Sequence, residues 1–241
     1  MSKLDRARRG VGLMALMAAT MAMAQPAAAD CESMPAAQVD WAGCDKSKTT
    51  MSGMDFTGAD LTKAVLARSD LRKSDLSGAK LVEADLNRAV LDDAKLVKAL
   101  LDKADFAKAR LHGTNFSGAT GTNIDFGRAD LAGADLTGVT FLKADFGRAM
   151  LPKAKLTGAT LTGTDLSRAD LTGADLGTAN LTRVGFARAI LVKANLAGAN
   201  LDQADLYLAD LTGAVLDGAK TDSARFCRTT MPDGTLNNKS C

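Results

Sequence analysis

The chain has 241 residues, with 30 Lys and Arg against 28 Asp and Glu, a formal net charge of +2, and aromatic residues at only 4%. Charge this near balance gives no argument for a nucleic-acid ligand. His112 is the only histidine, and the absence of any nucleophile elbow, phosphate loop or metal-ligand cluster leaves out the common catalytic motifs.

Residues 1–29 read as a secretory signal. Lys3, Arg6, Arg8 and Arg9 precede an apolar run from Val11 to Ala24, and Ala27-Ala28-Ala29 supplies small residues for cleavage after Ala29. The run is short for a membrane span, so no transmembrane anchor is expected in the mature chain. Asp30, just before Cys31, speaks against lipidation of that cysteine. Paired Arg8-Arg9 leaves twin-arginine export open beside the general route. Cleavage would remove four of 30 basic residues and one of 28 acidic ones, leaving 26 against 27, or −1. A periplasmic or secreted protein is expected.

Residues 30–53 read as an N-terminal cap with a degenerate first coil. Trp41 and Met51 keep the inward frame of the repeats, whereas Lys46 breaks it. From 54 to 228 the chain repeats every five residues, as in Ala59-Asp60-Leu61-Thr62-Lys63, Ala84-Asp85-Leu86-Asn87-Arg88 and Ala134-Asp135-Leu136-Thr137-Gly138. The central place runs from Phe56 to Phe226. Leu or Phe fills 33 of its 35 positions, broken only by Gly121 and Thr221, and Ala stands two residues earlier in 27. Five residues rotate a helix by about 500°, so these Leu would not form a stripe. In a flat strand they would alternate between faces. A chain that turns a corner once per unit buries them all, which is the logic of a solenoid.

Side chains twenty residues apart correlate, so the coil has four sides. The second place after the centre reads Arg68, Arg88, Lys108, Arg128, Arg148, Arg168 and Arg188 on one corner, and Gly58, Gly78, Lys98, Gly118, Gly138 and Gly158 on another. Steps of fifteen show no such order. These units resemble the Ala-(Asp/Asn)-Leu-x-x pattern of the pentapeptide-repeat proteins. The resemblance spans roughly residues 39–238 and implies an all-β fold, a right-handed quadrilateral parallel β-helix. About forty units at four per coil make about ten coils, on the order of 48 Å long at a strand spacing of about 4.8 Å.

Each row has its own expected role. Leu, Phe and Ala fill a narrow core, with Phe106, Phe126 and Phe146 placed to stack and Phe141 beside the gap at Gly121. Gly on a corner suits a positive φ, as in a type II turn, and corners carrying Arg or Lys are expected to turn differently. The basic row runs beside Asp85, Asp105, Asp125, Asp145, Asp165 and Asp205. The two columns are read as an ion-pair ladder, or else as a cation array for an anionic polymer. Calcium, which needs converging oxygens, does not suit single Asp residues along a flat wall. Val90, Met150, Ile190, Tyr207 and Leu208 are outward apolar contact candidates.

Residues 229–241 read as the C-terminal cap, with Met231 and Leu236 keeping the inward frame. Four cysteines remain after export, two at each end. A disulfide tolerates Cα atoms only about 7 Å apart, so a rod allows Cys31–Cys44 and Cys227–Cys241, one staple per cap. No catalytic residues, cofactor or metal are expected. The expected role is a noncatalytic exported structural or protein-interaction rod with an unnamed protein partner. The alternatives are a binder of an anionic envelope polymer through the basic row, or a DNA-mimic topoisomerase binder of the kind the resemblance brings in. The leader and the neutral mature charge disfavour the mimic.

Overall fold

The structure is a computed structural model that describes residues 29–241. The leader reading therefore lies, except for Ala29, outside the described residues. Among those residues parallel bridges join positions twenty apart without a gap, from Asp40↔Asp60 to Asp210↔Thr230. Each coil has four sides, and most sides meet their neighbours through a single bridged residue. Pairing lengthens only where β1 (Thr120–Thr122) lies parallel to β2 (Thr140–Leu142).

One unit shows why the motif has its composition. In Asp60–Ala64 all five N–H groups find acceptors. Those of Leu61 and Lys63 donate one coil ahead, to Lys80 O and Val82 O, at 2.8 Å each. Asp60 donates back to Val39 O at 2.9 Å, and Ala64 closes the corner on Leu61 O at 3.0 Å. The ladder leaves over the N–H of Thr62, which donates to Asp60 Oδ1 at 3.1 Å. Asp or Asn thus stands before the centre because it satisfies the one donor the coil cannot. Asn115 and Asn195 do the same for Ser117 and Ala197.

The corners differ from expectation. Arg and Lys corners do not turn differently from Gly corners. Arg68, Arg88, Lys108, Arg128, Arg148, Arg168 and Arg188 have φ of 57–61°, beside 64–68° at Gly58, Gly78, Gly118 and Gly138. Every unit must bend by the same angle for coils to stack, so the backbone is dictated by the fold and the side chain accepts a left-handed conformation costing about 1–2 kcal/mol.

Leu and Phe centres and their Ala partners form one continuous column, nearly all fully buried. Ser69, Ser74 and Thr114 replace Ala without penalty because each hydroxyl donates to a backbone carbonyl. Phe106, Phe126 and Phe146 stack coil over coil, with centroids 5.1 and 4.6 Å apart and rings 13° from parallel. The gap at Gly121 is filled chiefly by Ile124, which stands where other units have Ala. A Cβ on Gly121 would lie 2.9 Å from Ile124 Cδ1 and 2.9 Å from the Leu101 carbonyl carbon.

The two ends are built differently. At the start the Trp41 indole donates to Ser33 Oγ at 2.9 Å. Lys46 sits 4.0 Å over the Trp41 ring and donates to Cys31 O at 2.7 Å, so the residue that breaks the inward frame serves the cap. Cys31 and Cys44 are disulfide-bonded with Cα atoms 5.5 Å apart, and Cys227 and Cys241 at 4.8 Å. At the far end Leu236 does not keep the inward frame. The chain reverses after Met231, and β3 (Thr229–Thr230) pairs antiparallel with β4 (Leu236–Asn237), leaving Leu236 61% exposed.

Candidate functional site

The seven basic residues of the row stand on one corner of the rod, all exposed, in seven successive coils. Lys48 begins the same corner one coil earlier, with φ 58°. Its register was visible in the sequence, but the frame break at Lys46 hid it. Leu208 then interrupts the column and Arg228 resumes it.

The ladder reading fails. Among the described residues none of the seven forms an ion pair with a carboxylate. Ion pairs elsewhere commonly run up the rod within a column of mixed sign, as in Asp60–Lys80, Asp75–Lys95 and Lys103–Glu83, and the Asp column itself makes one, Asp205–Arg225, only where its sign changes. A column of one sign has no such neighbour. The Asp column beside the row is committed to its own backbone instead. Asp105, Asp125, Asp145 and Asp165 accept from Ala107, Gly127, Gly147 and Ser167 at 2.6–2.8 Å.

Between the two columns lies an open trough of about 680 Å³. Its floor is Ala107, Gly127, Gly147 and Ser167, with acidic and basic banks on either side. Tyr207 and Leu208 close the line at the C-terminal end, where the Arg225 guanidinium lies 5.5 Å from the Tyr207 ring. Asp105 is the one carboxylate here pushed above its ordinary range, first by partial burial and then by Asp125 and Asp85 one coil away on either side.

The other sequence candidates are scattered. Met150 and Ile190 are exposed and Val90 is half-buried on the next wall, two coils or more apart. Leu100 and Val215, absent from the sequence candidates, are equally exposed on other walls. His112 Nε2 lies 2.6 Å from Asp130 Oδ2 on an open face. Among the described residues no group of three His, Cys, Asp or Glu converges on a point where a metal ion would sit, and no helix is long and apolar enough to cross a membrane.

With four walls, five-residue units and Asp-capped corners in place, comparison with known proteins names the class. The chain matches the family described as Pentapeptide repeats (8 copies) over residues 49–88, 84–120, 122–151, 151–186, 179–218 and 189–226. It belongs to that family, whose fold is a right-handed quadrilateral β-helix. It is similar to HetL, a pentapeptide repeat protein involved in heterocyst differentiation regulation from the cyanobacterium Nostoc sp. strain PCC 7120. That match has 30% identity over 83% of this chain and 92% of the other, with a TM-score of 0.32. A trypsin-treated form of QnrB1, a plasmid-mediated fluoroquinolone resistance protein, matches at 20% identity over 77% and 91% with a TM-score of 0.60, a likeness of fold. A thylakoid-lumen pentapeptide repeat protein from Arabidopsis thaliana matches at 40% identity over 35% and 63%, with a TM-score of 0.32. Comparison with curated proteins found no match.

Proposed function

We propose that this protein is an exported, noncatalytic rod of about ten coils that works by presenting charged columns to a protein partner in a bacterial periplasm or outside the cell. The observation that carries this reading is the pair of single-sign columns. They stand side by side on a rigid wall, and among the described residues no ion pair crosses the trough between them. Among the described residues the Asp carboxylates line open walls rather than facing one another across a cleft, which supports the noncatalytic reading. Crosslinking of the tagged protein in its native envelope, beside a variant carrying Arg128→Glu, Arg148→Glu and Arg168→Glu, tests the reading. A defined partner lost in the variant makes the basic corner its binding surface. Recovery of no partner by either protein overturns the proposal.

A second reading, binding of an anionic envelope polymer, is favoured by the exposed and unpaired state of the row. Salt-sensitive retention on an anionic column, lost in the same variant, is its signature. The fold likeness to QnrB1 does not bring a DNA-mimic role with it, because a mimic of duplex DNA needs a dominant acidic face. Here an acidic column runs beside a basic one.

A further inference from the structure

We infer that the trough wall is a self-complementary interface, and that the occupant it fits is a second copy of this chain lying parallel to the first. This deepens the reading of the rod as a protein-interaction module and rests on it. The argument is one of symmetry and charge. On this wall the acidic column (Asp85, Asp105, Asp125, Asp145, Asp165) lies on one bank. The basic column (Arg88, Lys108, Arg128, Arg148, Arg168) lies on the other. A two-fold axis parallel to the rod, running just outside the wall, exchanges left and right without changing height. It sets the acidic bank of each copy against the basic bank of the other at every level. A two-fold axis across the rod would instead oppose like charges. Both two-fold arrangements are closed and isologous, but only the parallel one is also complementary in charge.

Three further observations fit this occupant. The coil spacing is identical in both copies, so the columns stay in register along the whole wall. Beyond Asn87, the floor of Ala107, Gly127, Gly147 and Ser167 carries only small side chains, none long enough to hold a second wall away. Past the trough the complementarity weakens: Gly185 stands in the place of Asp one coil on, and Tyr207 and Leu208 stand in the floor and cation places one coil further. A smooth anionic polymer matches only the basic bank and meets the acidic one. The charged part of the wall spans five coils, about 24 Å at a strand spacing of about 4.8 Å, and its contacts are charged and open to solvent. The association is therefore weak, concentration-dependent and carried by charge.

The coil geometry tolerates reversal of both columns, because other walls already contain the reversed residues at the same places, although each Asp→Lys change removes the carboxylate cap from the N–H two residues on. Glu83 and Asp93 occupy left-handed corners with φ of 57°, and Lys95 and Lys155 bridge normally in the position of the Asp column. The test is sedimentation of the full chain with both disulfides formed, over a range of concentrations. Three proteins are compared: the wild type, the triple variant Arg128→Glu, Arg148→Glu, Arg168→Glu, and the triple variant Asp125→Lys, Asp145→Lys, Asp165→Lys. The wild type is expected to dimerise at low ionic strength and to dissociate at about 0.5 M salt, where screening reaches only a few Å. Each variant alone should associate at least about a hundredfold more weakly, since like charges then face each other. An equimolar mixture of the two should dimerise again. Restoration in the mixture is an outcome that simple misfolding of either variant cannot produce. A wild type that stays monomeric at low salt, or dimers indifferent to both reversals, overturns the inference. A monomeric wild type that crosslinks a different protein in the envelope leaves the interaction role standing and removes only the second copy as its partner.

Discussion

Asp105 has a like charge one coil above and one below, and its carboxyl is pushed up by partial burial and by Asp85 and Asp125. A raised acid favours the fold while protonated, and that contribution is lost as pH rises through its folded value. Asp70 behaves oppositely. A hydrogen bond from the Arg72 side chain holds it below the ordinary 3.8, so its contribution is present above that value and lost as pH falls through the lowered one. Asp105→Asn keeps the acceptor for the Ala107 N–H, as Asn115 and Asn195 show, and removes the repulsion. It should stabilise the protein by about 0.2–1 kcal/mol at pH 7, with no gain below pH 4, measured by thermal melting at both pH values. Gly121→Ala should cost about 1–3 kcal/mol by overpacking. Ile124→Ala in the same chain should recover part of that loss, and the Leu101 carbonyl contact should keep the rest. Denaturant unfolding of the two single variants and the double checks this coupling. The gap at Gly121 was legible in the sequence as a break in a row of Leu. Its filler was not, because Ile124 occupies a place that period alone assigns to a small residue.

A corner, a coil and a cap are the elements from which the rod is made, and they differ in how openly the sequence declares them. Inward positions and the four-sided coil follow from period and from correlation at twenty residues, since burial leaves Leu136 and its equivalents no alternative. Corner conformation does not, because the sequence writes Gly and Arg at places where the fold imposes one φ. The ends escape the pattern as well. Lys46 turns out to brace Trp41, and Leu236 leaves the frame because the chain doubles back after Met231. Each cap is closed by one disulfide, with sequence separations of 13 and 14. Loops of that length are worth about 3 kcal/mol each in the chain-entropy account. Reduction should therefore lower the melting temperature. Replacing Cys227 and Cys241 by Ser should fray the last coil while leaving far-ultraviolet circular dichroism of the body unchanged.

At the scale of the whole molecule, stability is a chain of nearest-neighbour interfaces rather than one core. The aromatic stack from Phe106 to Phe146 lies in the middle. At the C-terminal end the N–H groups of Leu216, Gly218, Thr221 and Ser223 find no acceptor among the described residues. Hydrogen exchange should accordingly be slowest at Leu131 to Leu156 and faster by orders of magnitude over 216–223. Equal protection along the rod would mean that the molecule opens as one unit. The trough wall belongs to this scale too. Charges placed singly would be surface decoration worth little, but a column held at constant spacing over five coils presents a continuous edge.

Because every wall is five residues wide and every revolution takes twenty, the numbering of this protein doubles as an angular scale. Excising twenty residues from the middle would shorten the rod by one storey and leave each column in line. Excising five would rotate everything beyond the cut by a quarter turn, carrying the downstream cations to the neighbouring corner while each Leu still found the interior. The molecule therefore behaves as a combination lock, in which the fold accepts any five-residue change but the painted faces align only at full revolutions.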